Sequence, residues 1–219
     1  MSSEIVEDRI HLLDLAREGA LVGRTVRGVK APRASLPAVD LDSAIVEGGT
    51  LEGADLGRAI LMRTVLRQVD WRAILLEGAL LDATILTDGD LTEANLRGAQ
   101  LRRVSFTSVR MMNSDLRGAR LANCTLQGCD ATGVKAAEAV IIKSAFHSKG
   151  GGSLMRAKLG GATLVEVDLE GANLYGADLS RALLIRCNLR GANLSSATLV
   201  GTRMIACDTM GADLTDTST

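Results

Sequence analysis

Leu56, Leu61, Leu66, Leu76, Leu81, Leu86, Leu91, Leu96 and Leu101 fall in one strict five-residue frame, with Trp71 filling the remaining place. No α-helix of 3.6 residues per turn repeats in that way, so the chain is read as an array of five-residue units. The frame runs back through Leu51, Val46 and Leu41 to Leu36, and forward through Phe106, Met111, Leu116, Leu121, Leu126, Ala131, Ala136 and Ile141 to Phe146. Two residues before each centre stands a small or β-branched residue, such as Ala44, Gly49, Ala54, Ala59, Thr64, Val69, Ala79 and Thr84. Both positions are expected to point inward.

After His147 the sequence Ser148-Lys149-Gly150-Gly151-Gly152-Ser153 breaks the frame, which resumes three residues out of step at Leu154 and runs to Leu214. The offset predicts a loop over 147–153 inserted at one corner, between arrays over 36–146 and 154–219. Ahead of the arrays, Ser3 through Glu18 reads as an amphipathic helix on Ile5, Val6, Ile10 and Leu13, stopped by Gly19. It is expected to cap the first coil from residues 1–19. Residues 20–35 keep the frame only at Leu21 and Val26, and read as a linker or a degenerate first coil.

The triplets Ala54-Asp55-Leu56, Ala94-Asn95-Leu96, Ala172-Asn173-Leu174, Ala177-Asp178-Leu179, Ala192-Asn193-Leu194 and Ala212-Asp213-Leu214 resemble the A-(D/N)-L-x-x signature of the pentapeptide-repeat family. The resemblance covers roughly four-fifths of the chain. It implies an all-β solenoid, the right-handed quadrilateral β-helix, in which each pentapeptide makes one side and four make a turn. Stacked positions then lie twenty residues apart, and coils about 4.8 Å apart give about nine turns and a rod roughly 40 Å long. Apolar residues make 47% of the chain and aromatic ones only 2%, which suits a narrow core filled by Leu and Ala. Ala131 and Ala136 are expected to leave that core thin. The carboxyl-terminal coil carries no cap in the sequence, so a homodimer through it is expected, as in several relatives.

With Lys and Arg at 25 against Asp and Glu at 26, the chain lacks the basic excess of a nucleic-acid binder, and no direct nucleic-acid binding is expected. Nothing in the sequence spans a membrane, and the start shows no basic-then-apolar leader, so the protein is read as cytoplasmic. Catalysis is not expected. His11 and His147 are the only imidazoles, and the recurring Asp55, Asp115, Asp168, Asp178 and Asp213 occupy the repeat's own polar position. Cys124, Cys129, Cys187 and Cys207 form no Cys-x-x-Cys pair, so neither a metal nor any other cofactor is implied.

Function is therefore sought on the exterior. Ile60 with Leu80, Ile45 with Val65 and Ile85, and Val165 with Ile185 and Ile205 are expected to form outward apolar ladders, with Leu183 beside the last. Folding back of the helix or of residues 20–35 over the first two groups is one expectation, a partner surface the other. Glu77, Asp82, Asp88, Asp90 and Glu93 form an acidic stretch, followed by a basic belt of Arg97, Arg102, Arg103, Arg110, Arg117 and Arg120. The first reading is a non-enzymatic scaffold that holds another protein. The family resemblance implies an alternative, a DNA mimic that binds DNA gyrase, with His147, Lys149 and Gly151 of the loop as contact elements. The Arg belt weakens that alternative, because it breaks the continuous negative charge that such a rod needs.

Overall fold

The computed structural model describes residues 5–147 and 153–219, His147 by its backbone alone. Within them the chain winds as a right-handed, four-sided parallel β-solenoid of about 10 turns with one short helix. The sides are named here by their centre residues in one coil: Leu81, Leu86, Leu91 and Leu96.

Two sides are regular sheets. The Leu86 side stacks the strands Ile5–Val6, Thr25–Arg27, Ile45–Glu47, Val65–Arg67, Ile85–Thr87, Ser105–Thr107, Thr125–Gln127 and Ala145–His147, all parallel. The Leu81 side stacks Leu80–Asp82, Gln100–Arg102, Arg120–Ala122, Val140–Ile142, Thr163–Val165, Leu183–Ile185 and Arg203–Ile205. The other two sides are held by single bridges, such as Asp70↔Asp90↔Arg110 and Leu75↔Asn95↔Asp115. Backbone N–H groups reach carbonyls of the coils above and below, as in Leu36 N to Asp55 O at 2.7 Å and Asp55 N to Ala34 O at 2.8 Å, while others close turns within a coil, as Ala54 N does to Leu51 O at 2.9 Å. The flanks of the rod therefore offer no free sheet edge.

Inside, Leu81 pairs with Leu101 and Leu101 with Leu121, while Leu61, Leu81 and Leu101 are all buried in one column. The position two before each centre turns inward beside them, and Ala44, Ala54, Ala59 and Ala79 there are wholly buried. Larger members of that position are aliphatic, such as Val69, Ile74 and Val104, or are hydroxyls and thiols with a carbonyl within reach. Thr64 Oγ1 donates to Leu41 O at 2.8 Å, and Cys124 Sγ lies 3.4 Å from Leu101 O. Gly49 is a special case. It has φ +76°, and a Cβ there would stand 2.3 Å from Val29 O. Outside, Asp or Asn recurs before each centre because its carboxyl or amide oxygen accepts the backbone N–H two residues on, as Asp55 Oδ1 does from Gly57 N at 2.9 Å.

The amino-terminal reading needs correction. The helix spans Arg9–Arg17, not Ser3–Glu18, with Asp8 as N-cap accepting from His11 N at 2.8 Å. Ile5 and Val6 are β-branched and pair with Thr25 and Val26 as the first strand of the Leu86 side. Gly19, at φ +67°, ends the helix: its N–H reaches Ala16 O and Ala20 N–H reaches Leu15 O, a Schellman closure. Residues 20–35 belong to the solenoid as a coil rather than a linker, bonded to the next coil through Thr25↔Ile45, Lys30↔Thr50 and Ser35↔Asp55. The helix thus stands within the first turn, which is why the turns exceed the nine counted from Leu36. Across the insertion, pairing shifts to twenty-three residues, as in Val140↔Thr163 and Asp130↔Ser153.

Ala131 and Ala136 line an apolar cavity of about 30 Å³ together with Phe106, Phe146, Leu116 and Leu126. Phe146, two sides on from Ala136, supplies part of the volume that the alanines leave out.

Candidate functional site

In each side the residues flanking a buried centre point outward, so the exterior is a set of columns with twenty-residue spacing. Ile60 stands under Leu80, and Ile45, Val65 and Ile85 form a continuous register on the Leu86 side. Residues 20–35 cannot fold over these ladders, because they are themselves a coil of the stack. Ile85 remains 44% exposed.

The longest apolar surface lies further along the Leu81 side. Val165, Ile185 and Ile205 are register partners, with Leu183 beside Ile185. Val140 and Ile142 extend that surface, since Ile142 pairs with Val165. The last two residues were missed in the sequence, because a twenty-residue step from Val165 lands on Ala145. The three-residue frame shift, applied to the exterior as well as the core, would have found them.

Beyond Val140 and Ile142 the same side dips into a depression of about 210 Å³, floored by Ala122 and bounded by Gln100, Arg102 and Arg120. Ala122 is the cause: a methyl group stands where the neighbouring rungs carry Arg102 and Ile142. Among the described residues, Arg102 and Arg120 make no ion pair.

The remaining charges are arranged differently from the expected separate patches. Coiling lays the Arg belt over the acidic stretch: Arg103 meets Asp82 at 2.7 Å and Arg110 meets Asp90 at 3.0 Å, while Arg117 meets Asp115 within its own coil at 2.5 Å. Arg97, Glu77, Asp88 and Glu93 make no ion pair among the described residues. The Arg117 guanidinium holds the Asp115 carboxyl below its ordinary range, and Arg72 does the same to Asp70. Further on, Glu166 lies between Lys143, at 3.8 Å, and Arg186, and its carboxyl is lowered by Arg186 first. Lys149 and Gly151 lie outside the described residues, as does the His147 side chain.

The four thiols are free, and burial pushes those of Cys129 and Cys187 up to about 11. No cluster of three or more His, Cys, Asp or Glu positioned for a metal ion occurs among the described residues. No helix among them is long and apolar enough to cross a membrane.

A filled solenoid with all its variety on the outside defines a class of protein that presents surface. Comparison with known proteins gives the family. The pentapeptide-repeat model matches in 8 copies, over residues 59–98, 99–135, 114–147, 153–191, 172–208 and 187–218, and the chain belongs to that family. Among solved structures, the chain is similar to full-length QnrB1, a plasmid-mediated fluoroquinolone resistance protein, at 18% identity, covering 99% of this chain and 92% of that one with a TM-score of 0.57. HetL, a pentapeptide repeat protein involved in heterocyst differentiation regulation in the cyanobacterium Nostoc, matches at 23% identity over 96% and 94%, with a TM-score of 0.37. A pentapeptide repeat protein of the Arabidopsis thaliana thylakoid lumen matches at 28% identity over 56% and 70%, with a TM-score of 0.36. No curated protein matches the chain.

Proposed function

We propose that the protein is a non-enzymatic scaffold that binds a partner protein through its outer faces, principally the distal part of the Leu81 side. The observation that carries this reading is the run of Val140, Ile142, Val165, Leu183, Ile185 and Ile205 on the outside of one sheet. The other outward apolar ladders, Ile60 with Leu80 and Ile45 with Val65 and Ile85, are shorter, and a contiguous apolar surface on a rod supports an interaction role. The interior supports the same reading from the other direction, since a cavity of about 30 Å³ has no room for a substrate. The free thiols suit a reducing compartment, and the cytoplasm is the compartment proposed.

A DNA-mimicking gyrase binder is the competing reading. Against it stand the pairs Arg103–Asp82 and Arg110–Asp90, which neutralise two of the five carboxylates of the acidic stretch. The test is affinity capture from the native host with wild type, Ile185→Lys and Ile85→Lys as baits. A partner retained by wild type and Ile85→Lys but lost from Ile185→Lys supports the scaffold reading. Recovery of both gyrase subunits, with altered supercoiling by the purified protein, reverses it.

A further inference from the structure

The apolar run and the depression beside it are one continuous surface, and its two ends differ in chemistry. Rungs from Gln100 to Arg203 follow one another without interruption on the Leu81 side. The depression end carries Arg102 and Arg120, neither of them ion-paired among the described residues, and the other end carries Leu183, Ile185 and Ile205, with Arg203 as the one cation of its last rung. We infer that this surface is the seat of an amphipathic α-helix from a partner protein, laid along the rod axis with an acidic terminus in the depression. The inference rests on the scaffold reading above and specifies its partner.

The choice of occupant follows from dimensions and from hydrogen bonding. Six rungs at about 4.8 Å span about 24 Å, the length of a helix of about 16 residues. One side of the coil presents three strand residues, roughly 10 Å, which is the diameter of a helix with its side chains. An extended peptide is not accommodated in the same way. The strands run across the rod, and their backbone groups are already taken by the coils above and below, as in Arg120 N to Ala99 O at 3.0 Å. Only side chains are offered, so the occupant must satisfy its own backbone, as a helix does.

Charge favours one orientation, with Arg102 and Arg120 together at the depression against Arg203 alone on the last rung. Two guanidinium groups without acidic partners stand at one end, over a floor left open by Ala122 and next to the apolar Val140 and Ile142. A helix carboxyl end brings the negative end of its dipole there, and Asp or Glu side chains in its last turn bring full charges. At the far end Leu183, Ile185 and Ile205 take the apolar stripe at i, i+3, i+4 and i+7, beside Arg203.

The probe is a pair of synthetic, stapled helical peptides of about 16 residues with the same leucine stripe. One ends in Glu-Glu and the other in Lys-Lys, and a scrambled sequence with Glu-Glu serves as control. Binding is read by fluorescence anisotropy against wild type, Ile185→Lys and the double variant Arg102→Glu/Arg120→Glu, with thermal unfolding confirming that each variant is folded. Wild type is expected to bind the Glu-Glu peptide at least about tenfold more tightly than the Lys-Lys peptide or the scramble. Ile185→Lys is expected to lose that binding, and the double variant to prefer the Lys-Lys peptide. Equal binding of all three peptides, no binding to wild type, or an unchanged preference in the double variant overturns the helical occupant. If the peptides fail while host capture still depends on Ile185, this inference falls and the scaffold reading stands. If capture is also indifferent to Ile185, both fall.

Discussion

Arg103 holds Asp82 at 2.7 Å across neighbouring coils, twenty-one residues away in the chain. The same vertical pairing joins Arg63 to Asp42, Arg110 to Asp90 and Arg186 to Glu166. Exposed pairs of this kind are screened by solvent and add little stability, so their main effect is to neutralise the surface locally.

Their titration gives a pH dependence with a defined sign. The carboxyls of Asp70 and Asp115 are lowered in the folded protein, chiefly by side-chain hydrogen bonds from Arg72 and Arg117. In the unfolded chain they titrate near the usual value of about 4. The unfolded state therefore binds more protons below that value, and the stabilisation is present above pH of about 4 and lost as pH falls through the folded values. Urea midpoints are expected to hold steady between pH 7 and 5 and to fall below pH of about 4. Arg117→Gln is expected to show a smaller acid-side fall than wild type, and an identical fall would remove Arg117 as its source.

Gly49 tests the tightness of the square. A Cβ there would meet Val29 O at 2.3 Å and Val29 N at 2.7 Å, both backbone atoms that the coil holds in place. Gly49→Ala is expected to destabilise the protein by at least about 2 kcal/mol, through overpacking and the positive φ together. Gly98 also has a positive φ, of +62°, but nothing stands within 4 Å of its Cβ position. Gly98→Ala should cost only about 1 kcal/mol. Equal losses in chemical denaturation would mean that φ alone decides both.

The alanines at Ala131 and Ala136 leave a cavity of about 30 Å³ in an otherwise filled interior. At about 24 cal/mol per Å³, filling it is worth about 0.7 kcal/mol. Ala136→Val is expected to raise the denaturation midpoint by that order, while Ala136→Leu adds more volume than the cavity holds and should give no gain. A larger gain from leucine than from valine would show that the neighbouring coils relax to enlarge the space.

The sequence revealed the interior more fully than the exterior. Leu61, Leu81 and Leu101 could be stacked by counting alone, because a core this narrow admits one large residue per side and five residues per side. The helix boundary was less legible: Ile5 and Val6 are apolar in either pattern, and only their pairing with Thr25 and Val26 assigns them to the sheet. Charge was misread for a different reason. Grouping acids and arginines along the chain ignores that Asp90 and Arg110 are one coil apart and therefore adjacent. Val140 and Ile142 were hidden by the frame shift at the insertion, and Ala122 marks the depression only once its neighbours on the rungs above and below are known.

Thiol reactivity offers a last check on how tightly the coils close. Cys124, Cys129 and Cys187 point inward and are buried, whereas Cys207 is half-buried in a later coil. A thiol pushed to about 11, as Cys129 and Cys187 are by burial, holds about one thiolate in a thousand at pH 8. Low access and low thiolate content act in the same direction. An aromatic disulfide reagent at pH 8 is therefore expected to titrate no more than one thiol of the folded chain within minutes, at Cys207, and all 4 cysteines in strong denaturant. Rapid labelling at Cys187, identified by peptide mapping, would mean that the coil carrying it opens on that timescale. Its neighbours Leu183 and Ile185 would then belong to a surface that forms and dissolves, too mobile to seat a helix.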